Sequence, residues 1–149
     1  MLNSPYILVL FASRNGSTKS LAESISRGIR QCPGMDVCFR TVPSIEQIKK
    51  GQDKCAETGA AFVTVEEFAG ASALALGSPT QFGNMSSSLQ YFLEQTTSLW
   101  FKGALVDKPV AVFTSTASLH GGQETTLINM LTPLSVSYTH LTLPTKRIV

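Results

Sequence analysis

YILVLFASRNGSTKSLAESISRGI, residues 6–29, decides the fold. Its first seven residues, YILVLFA, are apolar throughout, rich in β-formers and closed by Ser13, the pattern of a strand covered on both faces. After the turn at 13–17, apolar Leu21, Ala22, Ile25 and Ile29 recur at helical spacing while Lys19, Glu23, Arg27 and Arg30 fall elsewhere. That predicts an amphipathic helix ending near Pro33-Gly34, with Ser17 or Thr18 available to cap its start. A buried strand turning directly into such a helix opens a βαβ unit.

Outward from this unit the alternation continues. Residues 36–42 set Val37, Phe39 and Thr41 against Cys38 and Arg40, predicting a sheet-edge strand with one wetter side. Residues 44–62, punctuated by Lys49-Lys50-Gly51 and Thr58-Gly59, read as a mobile connection, and only 65–69 hints at a short helix. ASALALG, residues 71–77, is again a buried-strand run; beyond the turn at 78–84, Met85, Leu89, Phe92, Leu93 and Thr96 share one helical face. A fourth strand, PVAVFTST at 109–116, leads through 117–122 into a helix carrying Leu127, Ile128, Met130 and Leu131. The order β-α-β-(α)-β-α-β-α predicts an α/β fold, a doubly wound parallel sheet between helical layers joined by right-handed crossovers.

The last segment breaks the pattern. SVSYTHLTLPTKRIV, residues 135–149, is rich in Ser and Thr, with Pro133 and Pro144 where the next strand should be hydrophobic. VSYTHLTLPT looks like the read-through translation of a sequencing-library adapter, so native sequence is expected to end near Leu134. On that reading 1–134 is a truncated domain and 135–149 a non-native tail. The other reading is an unusual edge strand, since Val136 and Tyr138 alternate with serines.

Composition limits the function classes. At 149 residues one domain is expected, and 43% hydrophobic residues support a buried core. Charged residues are 15%, below the usual roughly 25%, and a net charge of +2 without basic runs is too weak for nucleic-acid binding. The longest apolar run, 6–12, is far shorter than the roughly 20 residues of a membrane span, and no Lys or Arg precedes it as in a signal peptide. The expected location is cytoplasmic. Cys32, Cys38 and Cys55 form no CxxC pair, which fits reduced thiols and no metal site.

In an open parallel sheet, ligands bind at the carboxyl ends of the strands, where three loops converge. SRNGST, residues 13–18, offers backbone N–H groups and hydroxyls at a helix start, an anion cradle suited to a phosphate, although a structural turn uses the same residues. It lacks the GxxxxGK[ST] spacing of a Walker loop. SPTQFGN, residues 78–84, joins rigid Pro79 and aromatic Phe82 to Gly83, along which a flat heterocycle could rest; alone it is a proline-containing turn. STASLHGG, residues 115–122, adds hydroxyls, paired glycines and His120, either a group acting on substrate or a solvent-facing histidine. No acidic cluster follows the first strand and no Cys lies in the first loop, which removes receiver-domain and Cys-phosphatase chemistry. GxSxG and HExxH are missing too. Phosphate and ring binding with little intrinsic chemistry favours a redox cofactor.

The segments at 7–29 and 75–127, with ALGSPTQFGNM and SLWFKGAL, resemble the WrbA-type flavoproteins, flavodoxin-fold NAD(P)H:quinone oxidoreductases, over residues 6–134. The resemblance implies noncovalent FMN, strand order 2-1-3-4-(5) and a homotetramer. Ser13, Arg14, Asn15, Gly16, Ser17 and Thr18 would hold the FMN phosphate. Pro79, Thr80, Gln81, Phe82, Gly83 and Asn84 would line the ring and ribityl chain, with Ser115, Thr116, Ala117, Ser118 and Gly121 on the other side. Trp100 would wall the quinone or nicotinamide pocket, usually across a subunit boundary, or else be a core tryptophan. His120 or water would supply protons. The implied reaction is ping-pong: NAD(P)H reduces the flavin, and a quinone then takes two electrons and two protons. Gln81 replaces an Arg common in the family, the loop at 115–122 is one residue longer than in some members, and the fifth strand is missing or replaced after Leu134. The alternatives are a flavodoxin-like electron carrier, usually strongly acidic, and a non-catalytic regulatory flavoprotein.

Overall fold

The fold is taken from a computed structural model that describes residues 4–51, 59–137 and 140–141. The opening stretch folds as its pattern requires, giving β1 (Tyr6–Phe11) and α1 (Ser17–Ile29). Then follow β2 (Asp36–Thr41), α2 (Ile45–Lys49), α3 (Val65–Gly70), β3 (Ala73–Pro79), α4 (Ser87–Gln95), α5 (Thr97–Phe101), β4 (Pro109–Ser115) and α6 (Gln123–Val136). A two-residue β5 (His140–Leu141) completes a sheet of order β2-β1-β3-β4-β5. Every pairing is parallel, with Leu8 opposite both Cys38 and Leu74, and Leu74 opposite Val110. This is the expected doubly wound order 2-1-3-4. The fifth position holds only two residues, paired with Pro109 and Val110.

The unbroken apolar run of β1 is explained by its two covered faces. Leu8 and Leu10 join Leu74, Leu76 and Val110 under Phe68, Leu89, Phe92, Met130 and Leu134. Val9 and Phe11 point the other way with Ala75, beneath Ala22, Ile25 and Ile29 of α1. Burying each such side chain stabilises the fold by about 1.5–3 kcal/mol. Leu21, expected on the buried face of α1, is 40% exposed.

β2 is an edge strand as expected, with Cys38 buried on one side and Thr41 on the other. Arg40 escapes the cost of its position by a bidentate pair with Glu67: Nη2 lies 2.6 Å from Oε1 and Nε donates to both oxygens at 3.0 Å. The stretch read as a mobile connection instead forms α2, started by a capping box in which Gln47 N donates to Ser44 Oγ and Ser44 N to Gln47 Oε1. The remainder of that reading, at 52–58, lies outside the described residues.

α6 continues through Pro133 and two residues past Leu134, so Val136 is helical and not part of an edge strand; Tyr138 lies outside the described residues. Among the described residues no helix is long and apolar enough to cross a membrane, and no cluster of three His, Cys, Asp or Glu is placed to hold a metal.

Candidate functional site

Parallel strands deliver the three loops to one edge of the sheet. The first begins α1 from Gly16, left-handed at φ 89, without a side-chain cap. Neither Ser17 nor Thr18 serves as the cap, contrary to expectation: Ser17 is exposed, while Thr18 is 1% exposed and its Oγ1 lies 2.8 Å from Ser115 Oγ. Ser13 Oγ accepts from Gly16 N at 3.1 Å. The helical ladder starts with Ser20 N donating to Gly16 O at 2.9 Å, leaving the N–H groups of Ser17 and Thr18 ahead of it. No atom lies within 4 Å of where a Gly16 Cβ would stand, so a ligand can approach the backbone there. Arg14 and Asn15 are exposed on the same loop.

The second loop is fixed at its base. Ser78 Oγ accepts from Ser86 N at 2.7 Å, and Thr80 N donates to Ser115 O at 2.9 Å. Beyond Pro79, Gln81 and Asn84 exchange two backbone hydrogen bonds of 2.9 Å across Phe82 (φ 51) and Gly83 (φ 78). Positive φ at both central residues gives a turn of type I′ character, which drives the Phe82 ring fully into solvent.

The third loop carries Thr116, Ala117, Ser118 and Gly121 along the exposed rim. Gly121 N donates to Ser118 O at 3.3 Å. His120, at φ 51, is exposed on this loop with its Nδ1 3.0 Å from Glu124 Oε1. That hydrogen bond holds the Glu124 carboxyl below its ordinary value. Gly122 (φ 97) begins α6, and a Cβ on it would come within 3.0 Å of Gly83 Cα, so the second and third loops meet backbone to backbone. Thr126 Oγ1 reaches Gly122 O at 2.8 Å and Thr80 Oγ1 at 3.3 Å, and Thr80 Oγ1 lies 3.2 Å from Thr114 Oγ1. Gln123 Oε1 is buried with no hydrogen-bond partner among the described residues.

A cavity of about 1040 Å³ opens beside these loops and takes in Ser13, Arg14, Gln81 and Asn84 of the expected site. Trp100 is not at this edge. Its Nε1 donates to Val136 O at 3.0 Å, at the end of α6 about 20 Å from Gly122 by helical rise. Thr80 was expected at the site from the sequence, but Thr114 and Thr126, which bond to it, were not. The signal for Thr126 was legible, because it stands at i, i+4 and i+8 spacing with buried Met130 and Leu134, a hydroxyl inside an apolar stripe.

The residues present fit FMN. An uncapped helix start with open space above a left-handed glycine suits a phosphate. Sheet order and loop geometry together define a flavodoxin-like α/β protein built for a phosphate-bearing nucleotide. Within that class the chain belongs to the NADPH-dependent FMN reductase family, whose model matches residues 5–137. It is 37% identical over 132 residues to a NAD(P)H dehydrogenase (quinone) of Geobacter sulfurreducens; the match covers 85% of this chain but spans only 65% of that relative's length. The fold is similar to the flavodoxin, WrbA-like protein of Agrobacterium tumefaciens, with TM-score 0.71 and 21% identity over 99% of this chain and 81% of that one. A flavodoxin from the domain Archaea follows at TM-score 0.67 and 22% identity, over 92% and 78% of the two chains.

Proposed function

We propose that this chain is an FMN-dependent NAD(P)H:quinone oxidoreductase working by two-electron, ping-pong turnover. The observation that carries the reading is the α1 start: a left-handed Gly16 without a side-chain cap, open above its backbone, with Ser13 and Ser17 beside it. When bound, FMN supplies the two-electron chemistry between NAD(P)H and a quinone. The protein's part is placement. Gly16, Ser17 and Asn15 present donors to the phosphate, and Thr18 ties that loop to Ser115 so the cradle keeps its distance from the ring loops. Thr126 and Thr80 lock the second loop, and the Gly83–Gly122 contact sets the floor between Thr80 and Ser118. His120, paired with Glu124 at the rim, is the proton source in this reading.

The family resemblance and the exposed ridge of Trp100 and Phe101 support a homotetramer in which Trp100 walls another subunit's pocket. The reading also includes a cytoplasmic location, and residues 135–149 as a non-native tail, which the genomic DNA beyond the Leu134 codon tests. The activity is tested by titrating the chain with FMN and following NADH or NADPH oxidation with benzoquinone. Gly16→Val should weaken FMN at least about tenfold, because a β-branched residue resists φ 89 and covers the approach. A wild-type chain that stays colourless at saturating FMN overturns the reading; flavin binding with only one-electron exchange assigns the chain to the electron carriers.

A further inference from the structure

We propose that the 1040 Å³ cavity beside the flavin loops holds the adenosine-phosphate half of NADPH, with Lys50 contacting its phosphates together with Arg14, which takes this role in place of the FMN-phosphate contact expected for it. This rests on the function proposed above and adds which part of the reductant lies where.

The cavity runs from the carboxyl ends of β1 and β2 across α2 to the first turn of α4. It borders the expected flavin site along Ser13–Arg14 on one side and Gln81 and Asn84 on the other, so a molecule seated in it touches the flavin loops. Its lining carries two cations, Arg14 and Lys50, against one carboxylate, Glu46. Neither cation forms an ion pair among the described residues, where Lys19, Arg40 and His120 do. Many of the other polar groups are already used: Ser44 and Gln47 by the α2 cap, Asn129 Oδ1 by Met85 N at 3.1 Å. What remains for a ligand is positive charge at separate points of the wall, together with a strip of Val42, Ile45 and Met85 on which a base can lie.

These features select a nucleotide. The volume lies just above the roughly 300–1,000 Å³ usual for small-molecule sites, larger than a bare anion needs. A quinone carries no anionic oxygen to pair with Arg14 and Lys50, the groups of the wall left without an ion pair among the described residues. Phosphates of a dinucleotide supply acceptors to both cations, and a 2′-phosphate gives the second one a partner that NADH lacks.

The test titrates the FMN-loaded chain by calorimetry with adenosine 2′,5′-bisphosphate and with ADP. Both should bind, the bisphosphate more tightly and with stronger salt dependence. Lys50→Glu should weaken the bisphosphate by roughly tenfold, the size of one charge-assisted contact, while FMN affinity by flavin fluorescence stays unchanged. The proposal is overturned if neither nucleotide binds, if Lys50→Glu binds both as the wild type does, or if inorganic phosphate displaces ADP at equal concentration. Should the chain take up no FMN, the proposed function fails on its own. The same titration of the flavin-free chain then decides the cavity: Lys50-dependent binding upholds it, and no binding overturns it.

Discussion

Gly83 and Gly122 show how much of this site depends on missing side chains. Their backbones approach so closely that a Gly122 Cβ would stand 3.0 Å from Gly83 Cα, and Gly122 also holds φ 97. Gly122→Ala should therefore destabilise the chain by about 1–3 kcal/mol, from left-handed strain and the push on the neighbouring loop. Urea unfolding checks this; an unchanged midpoint would mean the two loops are not in contact in solution. Glu67 makes a second residue-scale case. Burial raises its carboxyl, but hydrogen bonds from Arg40 and from Thr64 N, with the Arg40 charge, outweigh burial and leave it below 4.5. A depressed native value means the contribution is present above the unfolded-state value and is lost as pH falls through the native one. Glu67→Gln should cost about 1–2 kcal/mol at pH 7, and stability should fall less steeply with acid below about pH 4.5.

At the scale of elements, α3 has only six residues and cannot persist by helix propensity. It is held by its Thr64–Glu67 capping box and by Phe68, fully buried and edge-on to Phe92 with ring centroids 5.4 Å apart. Phe68→Ala should cost about 3–5 kcal/mol, read from thermal or urea unfolding. A loss under 1 kcal/mol would mean that α3 does not dock there. α3 was legible as a faint hint and α2 not at all. Both are too short for helical periodicity to rise above noise, although the Ser44 and Glu67 capping signals stand in the sequence. The longer elements α1, β1 and β3 were legible because burial on two faces, or along one helical stripe, imposes a repeat of several residues.

Across the whole molecule, β4 is the strand least supported at its flank. β4 is paired with β3 along its inner flank, but on its outer flank β5 pairs only with Pro109 and Val110, and no other described residue pairs there. An unpaired edge of this kind templates association. Ala111 is exposed on it, so Ala111→Lys should lower light scattering on heating without shifting the unfolding midpoint by more than about 1 kcal/mol in stability. Unaltered scattering would place the association elsewhere. Hydrophobic repeats and strand-to-helix turns are local, so they made the parallel α/β class and the edge at which the loops gather legible along the chain, whereas strand order was implied by the family resemblance. Packing alone turns Thr18 inward, points Phe82 to solvent, sets Trp100 at the far end of α6 and brings Arg14 and Lys50 to one cavity. Those facts depend on which distant groups packing brings within a few ångströms, and no pattern along the chain encodes such distances.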